Sequence, residues 1–164
     1  AGSGKTSLTA HLVALGASFV TDEVLALESG GSTVLAHPGP SRLSLHETEL
    51  RRIPSTQELR VGPCVGRSDK LMFEPEPVAT ALPVARLYVL RPEPGAARIW
   101  IKPLEEPAGR SLRGSSFVNY LHTSLKRDPE ICAVLDETVT TYDLGFPSGT
   151  RARDLAARVL AHRG

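Results

Sequence analysis

The chain has 164 residues, 41% of them hydrophobic and 23% charged, which is the balance of one globular domain with enough apolar side chain to bury a core. A net charge of +1 gives no global reason to expect nucleic acid or an anionic membrane as partner, so any anion binding has to be local. No stretch approaches the roughly eighteen apolar residues of a membrane span, and Cys64 and Cys132, far apart and outside any C-x-x-C spacing, argue against a disulfide framework or a thiolate zinc site and for reduced thiols in a cytoplasmic protein.

The chain opens "AGSGKTSLTAHL", and the stretch from Ala1 to Thr6 supplies all of a G-x-x-x-x-G-K-[ST] loop except its first glycine and one spacer. Such a loop is launched by a buried strand, so the expectation is a chain that starts inside the loop, with that first strand missing from it. Leu8, Leu12, Val13 and Leu15 recur at helical spacing and Gly16 follows where a helix end favours glycine, which predicts a short helix with His11 on its surface. "ASFVTDEVLALE" reads as extended apolar chain interrupted by Asp22-Glu23. With the turn signal "SGGS" and the returning "TVLAHP", residues 18–37 are expected to form strand, turn and strand.

Residues 38–83 are rich in proline and predict loops and short strands, with one helical stretch from Ser44 to Arg52. "VARLYVL" at 84–90 and "ARIWIKPL" at 97–104 are the clearest later strands, and the turn "RPEPGA" between them predicts a hairpin with Trp100 in its core. A helix over 114–126, a strand over 138–146 and a terminal amphipathic helix with Leu155, Val159 and Leu160 inward complete the reading. There is no internal repeat.

The chemistry concentrates near the start. Glycines let backbone N–H groups turn inward around phosphate oxygens, and the helix N-terminus favours negative charge. Lys5 would reach the β- and γ-phosphates, and the Thr6 hydroxyl would ligate magnesium. From average residue usage, G-x-G-K-[ST] arises by chance in about one chain in a hundred of this length, and a helix immediately behind it makes chance rarer. Ionised Asp22 and Glu23 in an apolar strand would be costly unless paired. Adjacent strand residues point to opposite faces, so one acid is expected to face the nucleotide while the other packs, bends the strand or acts on metal indirectly. Phosphoryl transfer to a hydroxyl needs Mg²⁺ to gather charge and a carboxylate to position or deprotonate the acceptor, and an acid beside the loop suits either need. His37, His46 and His122 show no metal-ligand spacing.

"GSGKTSLTAHLVALGASFVTDEVLALE" resembles the start of the catalytic domain of the HPr kinase/phosphorylase family and its shorter bacterial relatives, including kinases of lasso-peptide maturation. In that family a phosphate loop, a short helix, a "G-x-x-x-hydrophobic" step and a pair of acids come in this order. "AHPGPSRLSL" is similar to the family's proline-rich step after the second strand, Lys70 stands where a lysine precedes the next apolar run, and "VTTYDLGFPSGTRARDLAARVL" looks like its closing strand and helix. The resemblance implies an α/β fold of the HPr kinase and phosphoenolpyruvate carboxykinase type over residues 1–164, a mixed sheet flanked by helices. It also implies ATP- and Mg²⁺-dependent phosphorylation of a serine on a protein or peptide. Asp22 would be the catalytic base, Lys5 would act on the phosphates with Gly2, Ser3, Gly4 and Thr6, and Glu23 would join Thr6 at the metal. Arg42 and Lys70 are candidates to meet phosphate or an acidic substrate, against the plainer reading of surface cations.

Glu23 stands where the family has Asp, and its glycine-rich segment beyond the central helix has no counterpart around "ELRRIP". The resemblance therefore implies neither phosphorylase activity nor HPr as the acceptor. Two other classes stay open: a nucleotide-binding regulatory or assembly module without transfer chemistry, and a small-metabolite kinase, which would need a basic pocket over the acids where Arg and Lys here look scattered. Homo-oligomerisation is also left open.

Overall fold

A computed structural model describes residues 4–53, 60–63, 69–113 and 128–162. The first helix begins where the glycine run ends. Gly4 takes φ +80°, a left-handed conformation open to glycine, and caps α1 (Lys5–Ala14) without help from any side chain. The helix stops as the sequence predicts: Gly16, at φ +98°, donates its N–H to Val13 O, while Ala17 N–H reaches back to Leu12 O. This is the paired hydrogen bonding of a glycine-terminated helix.

The next segment departs from expectation. Only β1 (Ala26–Ser29) and β2 (Val34–His37) form the antiparallel pair, joined through Gly30 and Gly31. Residues 20–25 are not strand, and Phe19 makes only an isolated bridge to Pro77. Thr21 Oγ1 donates to Val24 O at 3.0 Å and closes a turn around Asp22 and Glu23. A turn leaves both carboxylates near water, which an apolar strand would not.

The helical stretch expected over Ser44 to Arg52 is half strand. β3 (Leu43–His46) precedes a single turn of helix, α2 (Glu47–Leu50), and β3 joins β5 (Lys70–Glu74), which in turn pairs with β4 (Arg60–Pro63). Both pairings are antiparallel. The register sets Leu43 opposite Phe73 and Leu45 opposite Leu71. Leu43, Leu45 and Phe73 bury one face of this sheet against Ala10 of α1, Phe19 and Ile53.

β6 (Leu82–Pro83) adds a short third strand beside β2. β7 (Arg86–Glu93) and β8 (Trp100–Pro103) occupy the two expected strand regions but do not pair with each other. After α3 (Ala108–Arg113) and α4 (Asp128–Thr138), β9 (Thr140–Pro147) inserts between them, parallel to β7 and antiparallel to β8. The predicted hairpin is thus replaced by a mixed three-stranded sheet. Burial explains the choice: Tyr142, Leu144 and Phe146 on one face of β9 and Thr141 and Gly145 on the other are all buried, the mark of a central strand. Trp100, expected in a hairpin core, is instead only half-buried and stands outside the three core clusters: its indole ring covers Gly145 of β9, its register partner, where an added Cβ would overlap the ring.

The terminal helix, α5 (Ala152–Ala161), lays Leu155, Ala156 and Val159 against Leu8 and Leu12 of α1 and Leu144 and Phe146 of β9. Leu160, expected inward, is 47% exposed, because it lies a step beyond that stripe in the last turn. His11, expected on the surface, is buried: α1 is covered by α5 on one side and by the β3–β5 sheet on the other. α4 packs on β1, β2 and α3, with Val34, Ala108, Leu135 and Val139 as a third core. The described residues therefore form a mixed α/β structure of three small sheets and five helices in place of one larger sheet. The helix expected over 114–126 lies outside the described residues, as do Gly2, Ser3, Cys64 and His122. No helix among the described residues is long and apolar enough to cross a membrane.

Candidate functional site

Three elements meet at the N-terminal end of α1. The helix brings Lys5 and Thr6 in its first turn, where backbone N–H groups have no intrahelical acceptor. The turn at 21–24 brings the acids. The solvent-side face of β3 and β5 brings Ser44 and Met72, which are register partners, with Lys70 on the same face two positions before Met72 and Arg42 two before Ser44.

Together they enclose a cleft of about 510 Å³ whose lining includes Thr6, Asp22, Glu23, Arg42 and Lys70. Five residues singled out from the sequence thus share one cavity. Both acids line it, and the expectation that they would point to opposite faces is corrected by the turn they sit in. The view of Arg and Lys as scattered is corrected too, since register folds Arg42 and Lys70 onto one wall.

Thr6 Oγ1 donates to Asp22 Oδ2 at 3.0 Å, joining the helix start to the acid turn. Burial raises the Asp22 carboxyl above the usual aspartate value of 3.8, and the charge of Glu23 pushes the same way. The Thr6 hydrogen bond and the positive charges of Lys5 and Lys70 oppose that rise without cancelling it. Asp22 therefore binds a proton more readily than a solvated aspartate while staying hydrogen-bonded and oriented.

Among the described residues no group of three or more His, Cys, Asp or Glu side chains is placed to hold a metal ion by itself. That is compatible with Mg²⁺, which keeps several waters and binds through one or two carboxylates together with substrate phosphates. A hydroxyl and two carboxylates, all oxygen donors, line the cleft at the helix start and fit such an ion.

Residues missed in the sequence complete the walls. Ser44 and Met72 line the cleft, and the alternation in "RLSLH", polar at Arg42 and Ser44 and apolar at Leu43 and Leu45, was the available signal for a strand at that place. Gly39 acts from behind. Its N–H donates to Val20 O at 2.9 Å, and a Cβ there would stand 2.5 Å from Thr21 Oγ1, so only glycine lets this segment press against the acid turn. Ser41 fastens the same segment to the end of β5 by donating to Pro75 O.

Compared with protein-family models, with curated proteins and with solved structures, the chain matches none of them.

Proposed function

We propose that this protein is a cytoplasmic phosphotransferase of the HPr kinase-like, phosphate-loop type, using ATP and Mg²⁺ to phosphorylate a serine hydroxyl of a protein or peptide. The observation that carries the reading is the Thr6–Asp22 hydrogen bond, at 3.0 Å, inside a cleft that also takes in Glu23, Arg42 and Lys70. A glycine-capped helix start supports phosphate, and an oriented carboxylate beside it supports the acceptor.

Bound ATP and Mg²⁺ would supply the phosphoryl group and gather its charge. Lys5 and the N–H groups of the first turn bind the phosphates. Thr6, whose hydroxyl donates its hydrogen bond to Asp22, would hold the metal through its oxygen, and Glu23 would offer a second oxygen ligand. Asp22 takes the proton of the acceptor hydroxyl, a task helped by a carboxyl whose proton affinity burial has raised.

A small-metabolite kinase is the second reading, favoured by the two cations that line the same cleft as the acids. Labelled ATP and a serine peptide library test the first reading. Asp22→Asn should keep ATP binding and lose transfer by about 10²-fold or more, and Lys5→Ala should weaken ATP binding itself. Unchanged turnover in both variants would remove the site from the chemistry.

A further inference from the structure

We infer that the acceptor is a peptide carrying an acidic side chain next to its serine, and that Arg42, with Lys70 deeper in the cleft, is what selects it. This rests on the kinase reading for the hydroxyl chemistry, but the recognition it describes is a binding property that can be measured without transfer.

The cleft has two separate sources of positive charge. Lys5, which acts on Asp22 electrostatically though it is not on the cleft lining, and the N–H groups of the first turn belong to α1. Arg42, the residue before β3, and Lys70, the first residue of β5, come from the other side and line the wall on which Ser44 and Met72 are register partners. Among the described residues neither of these two cations is in an ion pair. Lys70 acts on Asp22 electrostatically, which places it near the atom that would receive the acceptor's proton. Arg42 lines the same cleft, its side chain is exposed, and it does not figure among the charges acting on Asp22. A planar guanidinium at an accessible edge suits a carboxylate, which it can meet with two parallel hydrogen bonds.

The surroundings favour a peptide over a small acid. Val24 and Leu25 follow the acid pair directly and are 51% and 46% exposed, with Val24 on the cleft lining. A peptide's neighbouring side chains can cover that apolar surface, whereas a free dicarboxylate would leave it in water.

The test uses paired fluorescent peptides, identical except for Glu or Gln beside the serine, and reads binding to the protein by anisotropy with no ATP present. The acidic peptide is expected to bind about tenfold more tightly, the scale of one charge-assisted contact, and the preference should shrink as salt is raised. Arg42→Gln, an exposed position where folding should be unaffected, is expected to erase most of the preference while leaving the affinity for a fluorescent ATP analogue within about twofold. Equal binding of the Glu and Gln peptides overturns the inference, and so does an Arg42→Gln variant that loses ATP affinity as strongly as peptide affinity. Displacement of the labelled peptide by malate as effective as by the unlabelled acidic peptide overturns the peptide assignment. If the acid preference holds and no peptide is phosphorylated, it is the kinase reading that fails and the recognition that stands.

Discussion

Asp22→Asn should stabilise the protein while disabling it. The Asp22 carboxyl titrates above the usual 3.8 in the folded state because burial and Glu23 penalise its ionised form more than Thr6, Lys5 and Lys70 favour it. The folded state therefore holds that proton more tightly than the unfolded chain does. Stability falls as pH rises from about 3.8 through the raised folded value, and the full penalty is present above it. Asparagine cannot ionise, yet its Oδ1 can still accept the Thr6 hydroxyl. The side chain is only half-buried, so solvent screening places the gain at about 0.5–1 kcal/mol, the low end for stabilising substitutions. For a chain of 164 residues this amounts to a rise in Tm of about 1–4 °C. Calorimetric melts of both proteins, in chelator and without nucleotide, from acid to neutral pH, provide the check: the curves should converge near pH 3.8 and separate above it. A variant less stable at neutral pH, or a difference that does not change with pH, would show that the cleft does not penalise the Asp22 charge.

Gly145→Ala should cost roughly 1–3 kcal/mol, because the new methyl group must push the Trp100 indole off β9. Trp100 is the single tryptophan, so its emission should report both the displacement and a lower urea midpoint, and an unchanged spectrum and midpoint would contradict the packing. Gly39→Ala should lower transfer more than it lowers stability, since the contact it creates moves Thr21 and the turn holding Asp22; kinetics and denaturation run on the same sample separate the two effects. For His11, burial is the largest cause of a pKa below the usual 6.5, with Arg153 adding to it and Glu49 and Asp154 opposing it. The folded state prefers the neutral ring, so stability should fall as pH drops below about 6.5, and His11→Phe should flatten that loss between neutral pH and pH 5. An identical slope in the variant would place the acid sensitivity elsewhere.

Local signals in the sequence were reliable where the structure is itself local. Gly16 terminates α1 because a left-handed residue is needed there, and "SGGS" turns β1 into β2. The hairpin expected between β7 and β8 failed for the opposite reason. The turn signal was real, as Gly95 at φ +94° confirms, but two edge strands leave more apolar surface open than an arrangement with β9 between them. Nothing near residue 95 records that a strand some fifty residues later will take the central place. His11 and Leu160 were misplaced because a helix pattern shows which side is apolar, not how many neighbours cover the helix. α1 is covered on two sides, which buries His11, while α5 is covered on one, which leaves Leu160 outside.

The same distinction governs the site. That the acids return beside the loop was readable, because the two are separated only by one short helix and its return, although the sequence joined Thr6 to Glu23 where the structure bonds it to Asp22. Arg42 and Lys70 were not, since their approach depends on the register that sets Ser44 against Met72. A slip of one residue in that pairing would turn Lys70 and Met72 to the buried face and bring Leu71 and Phe73 into the cleft. Such a slip is opposed by the burial of Leu43, Leu45 and Phe73, all at most 3% exposed, against Ala10 of α1. The apolar half of β3 and β5 therefore fixes where the charged half points. The residues that bring Arg42 and Lys70 to the cleft are core leucines and a phenylalanine, side chains without chemistry of their own, and a scan for reactive groups passes over them.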